Sequence, residues 1–216
     1  MIDVVLLDLD GTLTDSAAGI MASYRHALGQ LGISAPDAAI RRCIGPPLVD
    51  GFTALGVPPD RLGAAVGLYR EYFSVDGIMD NRLYPGIEEM LISLSGASRR
   101  LALATSKLTE FGTRILGLFG LESLFEVVSG STPDGSRLQK EEIVEQALHE
   151  LGRPDPSTVV MVGDREHDVL AGRHHGLGTV GVTWGYGSVA ELRGAGPEHL
   201  VTTPEELVDL ILGGAR

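Results

Sequence analysis

A single cysteine, Cys43, stands in the 216 residues, so no internal disulfide can form and the thiol reads as packed or idle. Positive charge is scarce as well: 17 basic residues face 29 acidic ones, for a formal charge of −12. That balance argues against a nucleic-acid or anionic-membrane partner, while leaving room for a local cationic pocket. No apolar run approaches the length of a membrane span. The first apolar run is short, lacks a basic lead and is followed at once by acids, so a signal peptide is not expected and a cytoplasmic location is. Internal repeats and low-complexity segments are also missing. Only two lysines occur, Lys107 and Lys140, and their scarcity makes their positions informative.

What is present is a globular composition. With 44% hydrophobic residues the chain can bury a full core, as one large domain or a domain with an insertion. Its 29 glycines, most of them in short loops between apolar runs, suit many tight turns from strand to helix. Val4-Val5-Leu6-Leu7 reads as a short strand buried on both faces, at 3–8, that stops at Asp8, Asp10, Gly11 and Thr12. Residues 16–80 then read as mainly helical, with apolar periodicity over Ser16–Leu31 and Pro59–Phe73 and no strand between.

From Tyr84-Pro85-Gly86 onward the pattern alternates. Helices are expected at 87–94, 110–119, 140–151, 168–174, 189–193 and 204–212, and strands at 101–105, 125–129, 159–162, 179–182 and 199–201. The fold class is therefore α/β: a parallel sheet core with helices on both faces, interrupted after its first strand by an all-helical insertion. The expected boundaries are 1–15 with 81–216 for the core and 16–80 for the insertion.

In an open parallel sheet the ligand sits beyond the carboxyl ends of the strands. Four such places carry polar residues: Asp8 and Asp10; Thr105-Ser106-Lys107; Lys140 opening its helix; and Gly163-Asp164 through Asp168. Asp164 and Asp168 are four apart and would share a helix face if the helix begins by Asp164. Carboxylates gathered without matching cations repel, and a hard divalent cation such as Mg²⁺, with a phosphate, resolves the conflict. Both lysines fall on the same side of the sheet, where a compact ammonium suits a phosphate oxygen. A calcium loop counted from Asp8 fails, because Leu13 stands where glycine is needed and Gly19 where glutamate is needed. His167, His174 and His175 read as solvated helix residues, and Tyr24, Phe52, Tyr69, Tyr72 and Phe73 as packing within the insertion.

Asp8-Leu9-Asp10-Gly11-Thr12, Thr105 after an apolar strand, Lys140, and Gly163-Asp164 with Asp168 together resemble the four ordered motifs of the haloacid dehalogenase superfamily. The likeness runs along nearly the whole chain, and the insertion is similar to that superfamily's C1-type helical cap on a Rossmann-like core. Gly45-Pro46-Pro47-Leu48, Tyr84-Pro85-Gly86 and Gly181 to Gly187 look like the phosphoglycolate phosphatase-like branch. Members of that branch often carry a proline after the third-motif lysine, whereas Glu141 and Glu142 follow Lys140 here.

The resemblance implies a Mg²⁺-dependent phosphatase acting on a small phosphorylated metabolite. Asp8 would be nucleophile and metal ligand, forming an aspartyl-phosphate, and Asp10 the general acid and base, lending its carbonyl to the metal. Asp164 would complete the metal set, with Asp168 behind it or acting through water. Thr105, Lys140 and the amides near Leu9, Gly11 and Ser106 would hold the transferring oxygens, with Thr12 beside them. The role of Lys107 is open. Arg41, Arg42 and Gly45 in the insertion are candidate contacts to the substrate's far end. Cap closure would exclude water and select the leaving group. The absence of lysine from residues 14–80 argues against a phosphonate hydrolase that needs a cap Schiff base. The intact acidic set argues against a dehalogenase. A phosphomutase and a non-catalytic phosphate-binding module remain the alternatives, and monomer and homodimer are both compatible with the sequence.

Overall fold

The computed structural model describes residues 1–213. Strand β1, Val4–Leu7, has no accessible surface on any of its four residues, as a strand covered on both faces requires. The chain continues through β2 (Thr14–Asp15), helices α1 (Ala17–Gln30), α2 (Asp37–Arg41), α3 (Leu48–Ala54) and α4 (Leu62–Val75), and β3 (Arg82–Leu83). It then alternates: α5 (Ile87–Gly96), β4 (Arg100–Leu108), α6 (Thr109–Leu118), β5 (Phe125–Ser131), α7 (Lys140–Glu150) and β6 (Val159–Gly163). It closes with α8 (Glu166–His174), β7 (Gly178–Val182), α9 (Val189–Ala195), β8 (His199–Val201) and α10 (Pro204–Gly213).

Six strands form one sheet in the order β5-β4-β1-β6-β7-β8, every neighbouring pair parallel. From β1 the chain builds outward through β4 and β5, then returns to the other side of β1 to add β6, β7 and β8. The reversal falls between β1 and β6, so the crevice at that switch point lies between Asp8, just past β1, and Asp164, just past β6. On one face Val4 and Leu6 meet Ile143, Val144, Ala147 and Leu148 of α7 and Ala171 of α8. On the other, Gly112 of α6 sits against Leu103 and Val128, whose side chains alternate with that cluster.

The chain divides into two compact units, Met1–Thr14 with Leu83–Arg216, and Asp15–Arg82. In the second, α1 and α4 pack around an aromatic cluster. The ring centroids of Tyr24 lie 4.8 Å from Phe52 and 5.0 Å from Tyr69, and Tyr69 stacks on Phe73 at 5.8 Å. Tyr72 is half-buried and also packs within the insertion, its ring stacked on His26 of α1 at 4.8 Å. Cys43 is buried and its thiol is pushed up by that burial, in keeping with a packed side chain.

Three local departures have simple causes. Helix α4 starts at Leu62 because Pro59–Arg61 forms a tighter three-residue turn first. Helices α2 and α3, of 5 and 7 residues, are too short to display a helical period in sequence. Helix α8 begins at Glu166, so Asp164 lies on the strand exit and does not share a helix face with Asp168.

Candidate active site

The turn after β1 is drawn tight by the Leu9 carbonyl, which accepts from the amides of Leu13 and Thr14, both at 2.9 Å. Gly11 makes the turn possible: its φ of 92° suits glycine, and a Cβ there would overlap the Asp164 carboxylate. Asp8 is 7% exposed, and its Oδ1 accepts from Lys140 Nζ at 2.5 Å. Lys140 Nζ is also 2.7 Å from Asp168 Oδ1. The other oxygen of Asp168 accepts from the Arg165 amide at 3.1 Å, which satisfies a free amide at the start of α8. A Cβ on Gly163 would overlap Asp168, so only glycine lets that carboxylate fold back.

Lys140 owes its placement to its own helix start. Gln139 caps α7, and Glu142 accepts from the amides of Leu138 (2.9 Å) and Gln139 (3.0 Å). Glu142, two residues past Lys140, therefore has a clear local job. Burial alone would lower the Lys140 pKa, but Asp168 and Asp8 outweigh it and raise it, so the ammonium is firmly charged.

Thr105 is buried at the end of the regular part of β4, and its Oγ1 accepts from the Lys107 amide at 3.3 Å. Beyond it the pairing with β5 slips between Thr105 and Leu108, a bulge that turns Ser106 and Lys107 out of the ladder. Gly130 on β5 permits it, since a Cβ would overlap the Lys107 carbonyl and the Thr109 amide. Helix α6 begins at Thr109, with Leu108 at the cap position. Lys107 then reaches across to Asp10, with Nζ 2.6 Å from Oδ2.

Asp164 is fully buried. Its Oδ2 accepts from the amides of Tyr186 (2.7 Å) and Gly187 (3.2 Å), and its Oδ1 from Thr12 Oγ1 at 3.4 Å. Asp8, Asp164 and Asp168 each offer a carboxylate oxygen within 4.8 Å of the others. Burial pushes Asp8 up to about 8, with Asp168 and Asp164 adding to the rise and Lys140 opposing it. Burial, then Asp168, pushes Asp164 up to about 7 against the pull of its two amides. With all four carboxylates ionised they would exceed the two ammonium groups by two negative charges, which a divalent cation would offset. An all-oxygen donor set suits a hard ion such as Mg²⁺.

Asp8, Leu9, Asp10, Gly11, Thr12, Thr105, Ser106, Lys107, Lys140, Asp164 and Asp168 thus come from strand ends and helix starts of the core unit. Arg41, Arg42 and Gly45 belong to the helical unit, where both arginines are exposed and Gly45 has a φ of 110°. His174 is exposed; His167 and His175 are half-buried, and His175 Nε2 lies 2.9 Å from the Glu141 carbonyl. Reading the sequence for charged groups passes over Trp184, Tyr186 and Gly187, which act here through an indole N–H and main-chain amides. The one signal for them was the glycine density of the 181–187 stretch.

Residues 5–182 match the family model described as haloacid dehalogenase-like hydrolase. The tyrosine-protein kinase PtkA of Mycobacterium tuberculosis is 45% identical over 185 residues, 85% of this chain and 63% of that protein. The chain therefore spans less than two thirds of that relative's length. A 5'-nucleotidase of Pseudomonas aeruginosa is 41% identical over 197 residues, 90% of this chain and 89% of that one. The crystal structure of a predicted phosphatase from Clostridium acetobutylicum has a TM-score of 0.94 and 37% identity, covering 99% of both chains. With the family match running from the first strand to the fifth strand of the sheet, the protein belongs to the haloacid dehalogenase-like hydrolases.

Proposed function

We propose that the protein is a divalent-cation-dependent phosphatase, with Mg²⁺ as the ion, that hydrolyses a small phosphomonoester through an aspartyl-phosphate on Asp8. The observation that carries this reading is the position of Asp8. Its carboxylate sits at the switch point of the sheet, paired with Lys140 and grouped with Asp164 and Asp168.

Asp8 attacks phosphorus with the carboxylate oxygen that Lys140 does not hold. The P–O bond to the leaving group breaks as the bond to Asp8 forms, and Asp10 gives that oxygen its proton. Asp10 then takes a proton from the water that attacks the acyl-phosphate, releasing phosphate and restoring Asp8. Lys140, Thr105 and the amides of Leu9, Gly11 and Ser106 hold the transferring oxygens as charge shifts among them. Lys107, at 2.6 Å from Asp10, fixes that carboxylate beside the leaving oxygen. Asp8, the Asp10 carbonyl and Asp164 would hold the Mg²⁺, with Asp168 behind them. When bound, the ion supplies charge neutralisation between two anions that otherwise repel.

The 5'-nucleotidase relative, matched over nearly its full length, makes nucleoside monophosphates the first substrates to try. The test is phosphate release from p-nitrophenyl phosphate and a panel of nucleoside monophosphates, sugar phosphates and phosphoglycolate, with Mg²⁺ or with EDTA. Release should require the cation, and Asp8→Asn should lower it by about 10³-fold or more. Equal rates in parent and variant would remove Asp8 as nucleophile. Isomerisation of a sugar phosphate without net hydrolysis would point to a mutase. The name of the PtkA relative supplies a further arm, transfer of label from ATP to protein tyrosine, for which the hydrolase reading expects none.

A further inference from the structure

We propose that the 183–187 loop after β7 is a clamp that fixes the Asp164 carboxylate for a divalent cation, with Trp184, Tyr186 and Gly187 as positioning residues that set cation affinity. The inference rests on the cation part of the function proposed above. A carboxylate ligand binds well only if its rotation is settled before the ion arrives, and groups that settle it are typically worth about 10- to 100-fold in metal affinity.

Two successive amides, of Tyr186 and Gly187, converge on the same oxygen of Asp164, at 2.7 and 3.2 Å. This locks the carboxylate plane and directs the other oxygen elsewhere. The same loop reaches the turn that follows Asp8: Trp184 Nε1 donates to the Thr12 carbonyl at 3.0 Å, and Thr12 Oγ1 donates to Asp164 Oδ1 at 3.4 Å. Asp164 and the turn after Asp8 are thus held by one piece of chain, although they lie on different strands.

The clamp is anchored at both ends. At its start, the Thr183 amide and hydroxyl both donate to the Val201 carbonyl, at 3.1 and 3.2 Å. At its end, Ser188 caps α9, and Glu191 of that helix accepts from Arg165 Nε (2.7 Å) and the Glu166 amide (3.2 Å). Arg165 is the neighbour of Asp164, so the circuit closes on the residue it positions. Two glycines bring the loop near enough. A Cβ on Gly185 would overlap the Gly11 carbonyl and the Asp164 carboxylate, and one on Gly187 would overlap the Asp164 carbonyl. Glycine serves closeness of approach at both positions.

The probe is Mn²⁺ binding to the full chain without substrate, followed by electron paramagnetic resonance, with Mg²⁺ competition for the natural ion. Trp184→Phe keeps an aromatic ring, though a smaller one, and removes the N–H; Gly185→Ala lifts the loop from Asp164. Both variants should bind Mn²⁺ more weakly, by about 10-fold for Gly185→Ala and severalfold for Trp184→Phe. A purely structural role would lower the unfolding temperature of the metal-free protein and leave Mn²⁺ affinity at the parent value; that result would overturn the clamp. If Gly185→Ala does not fold, Trp184→Phe decides alone. A parent that binds no Mn²⁺ saturably would overturn the cation reading, and the clamp with it, whatever the variants do.

Discussion

Asp8 and Asp10 are two residues apart and do not share an environment. Asp8 is buried against Lys140 and pushed up to about 8 by that burial, whereas Asp10 is half-buried and paired with Lys107. Separate partners imply separate work, and the two amide variants should fail differently. Asp10→Asn keeps the nucleophile and loses the proton carrier, so it should slow turnover by about 10²- to 10⁴-fold while still accumulating phosphate on Asp8. Asp8→Asn should accumulate none. Mass spectrometry of acid-quenched protein after mixing with p-nitrophenyl phosphate reads the difference, and phosphate on Asp8→Asn would place the covalent step elsewhere.

Among the elements, helix α7 links stability to the site most directly, because its first residue is Lys140. Glu142 secures that helix start through the amides of Leu138 and Gln139, and these bonds are exposed. Glu142→Ala should therefore cost about 0.5–2 kcal/mol, seen as a lower unfolding temperature. It should also lower the rate of phosphate release more than the substrate affinity, since Lys140 would lose its fixed approach to Asp8 and Asp168. An unchanged rate in a destabilised variant would show that burial alone holds Lys140. The bulge in β4 is a second such link: it exists because Gly130 leaves room for Lys107 and Thr109.

At the scale of the whole molecule, the surplus negative charge at the switch point couples folding to pH and to the cation. Asp8 and Asp164 have folded-state pKa values of about 8 and about 7, raised from 3.8. A raised carboxylate contributes stability that is full below its unfolded value and is lost as pH climbs through the folded one. In EDTA the unfolding temperature should thus fall between about pH 6 and about pH 8.5. A bound divalent ion needs the ionised carboxylates, so saturating Mg²⁺ should raise the unfolding temperature more at the higher pH. Differential scanning fluorimetry at both pH values, with and without the ion, checks it. A Mg²⁺ increment equal at both would mean that these carboxylates are not the ones that bind.

Much of this was settled by the chain taken residue by residue. The apolar run at Val4–Leu7, the alternation after Tyr84 and the glycine-rich turns are local signals, so the parallel sheet with helices on both faces and the helical insertion could be read directly. Asp8, Asp10, Thr105, Lys140 and Asp164 were legible because each ends a strand or opens a helix, and the fold brings such positions to one edge. What only the tertiary structure decided are contacts between groups distant in sequence. Lys107 and Asp10, 97 residues apart, pair across a bulge that no hydrophobic pattern announces. Asp168 divides its oxygens between Lys140 and the Arg165 amide. Asp164 is gripped by main-chain amides of a loop 22 and 23 residues on, and main-chain amides have no letter of their own in a sequence.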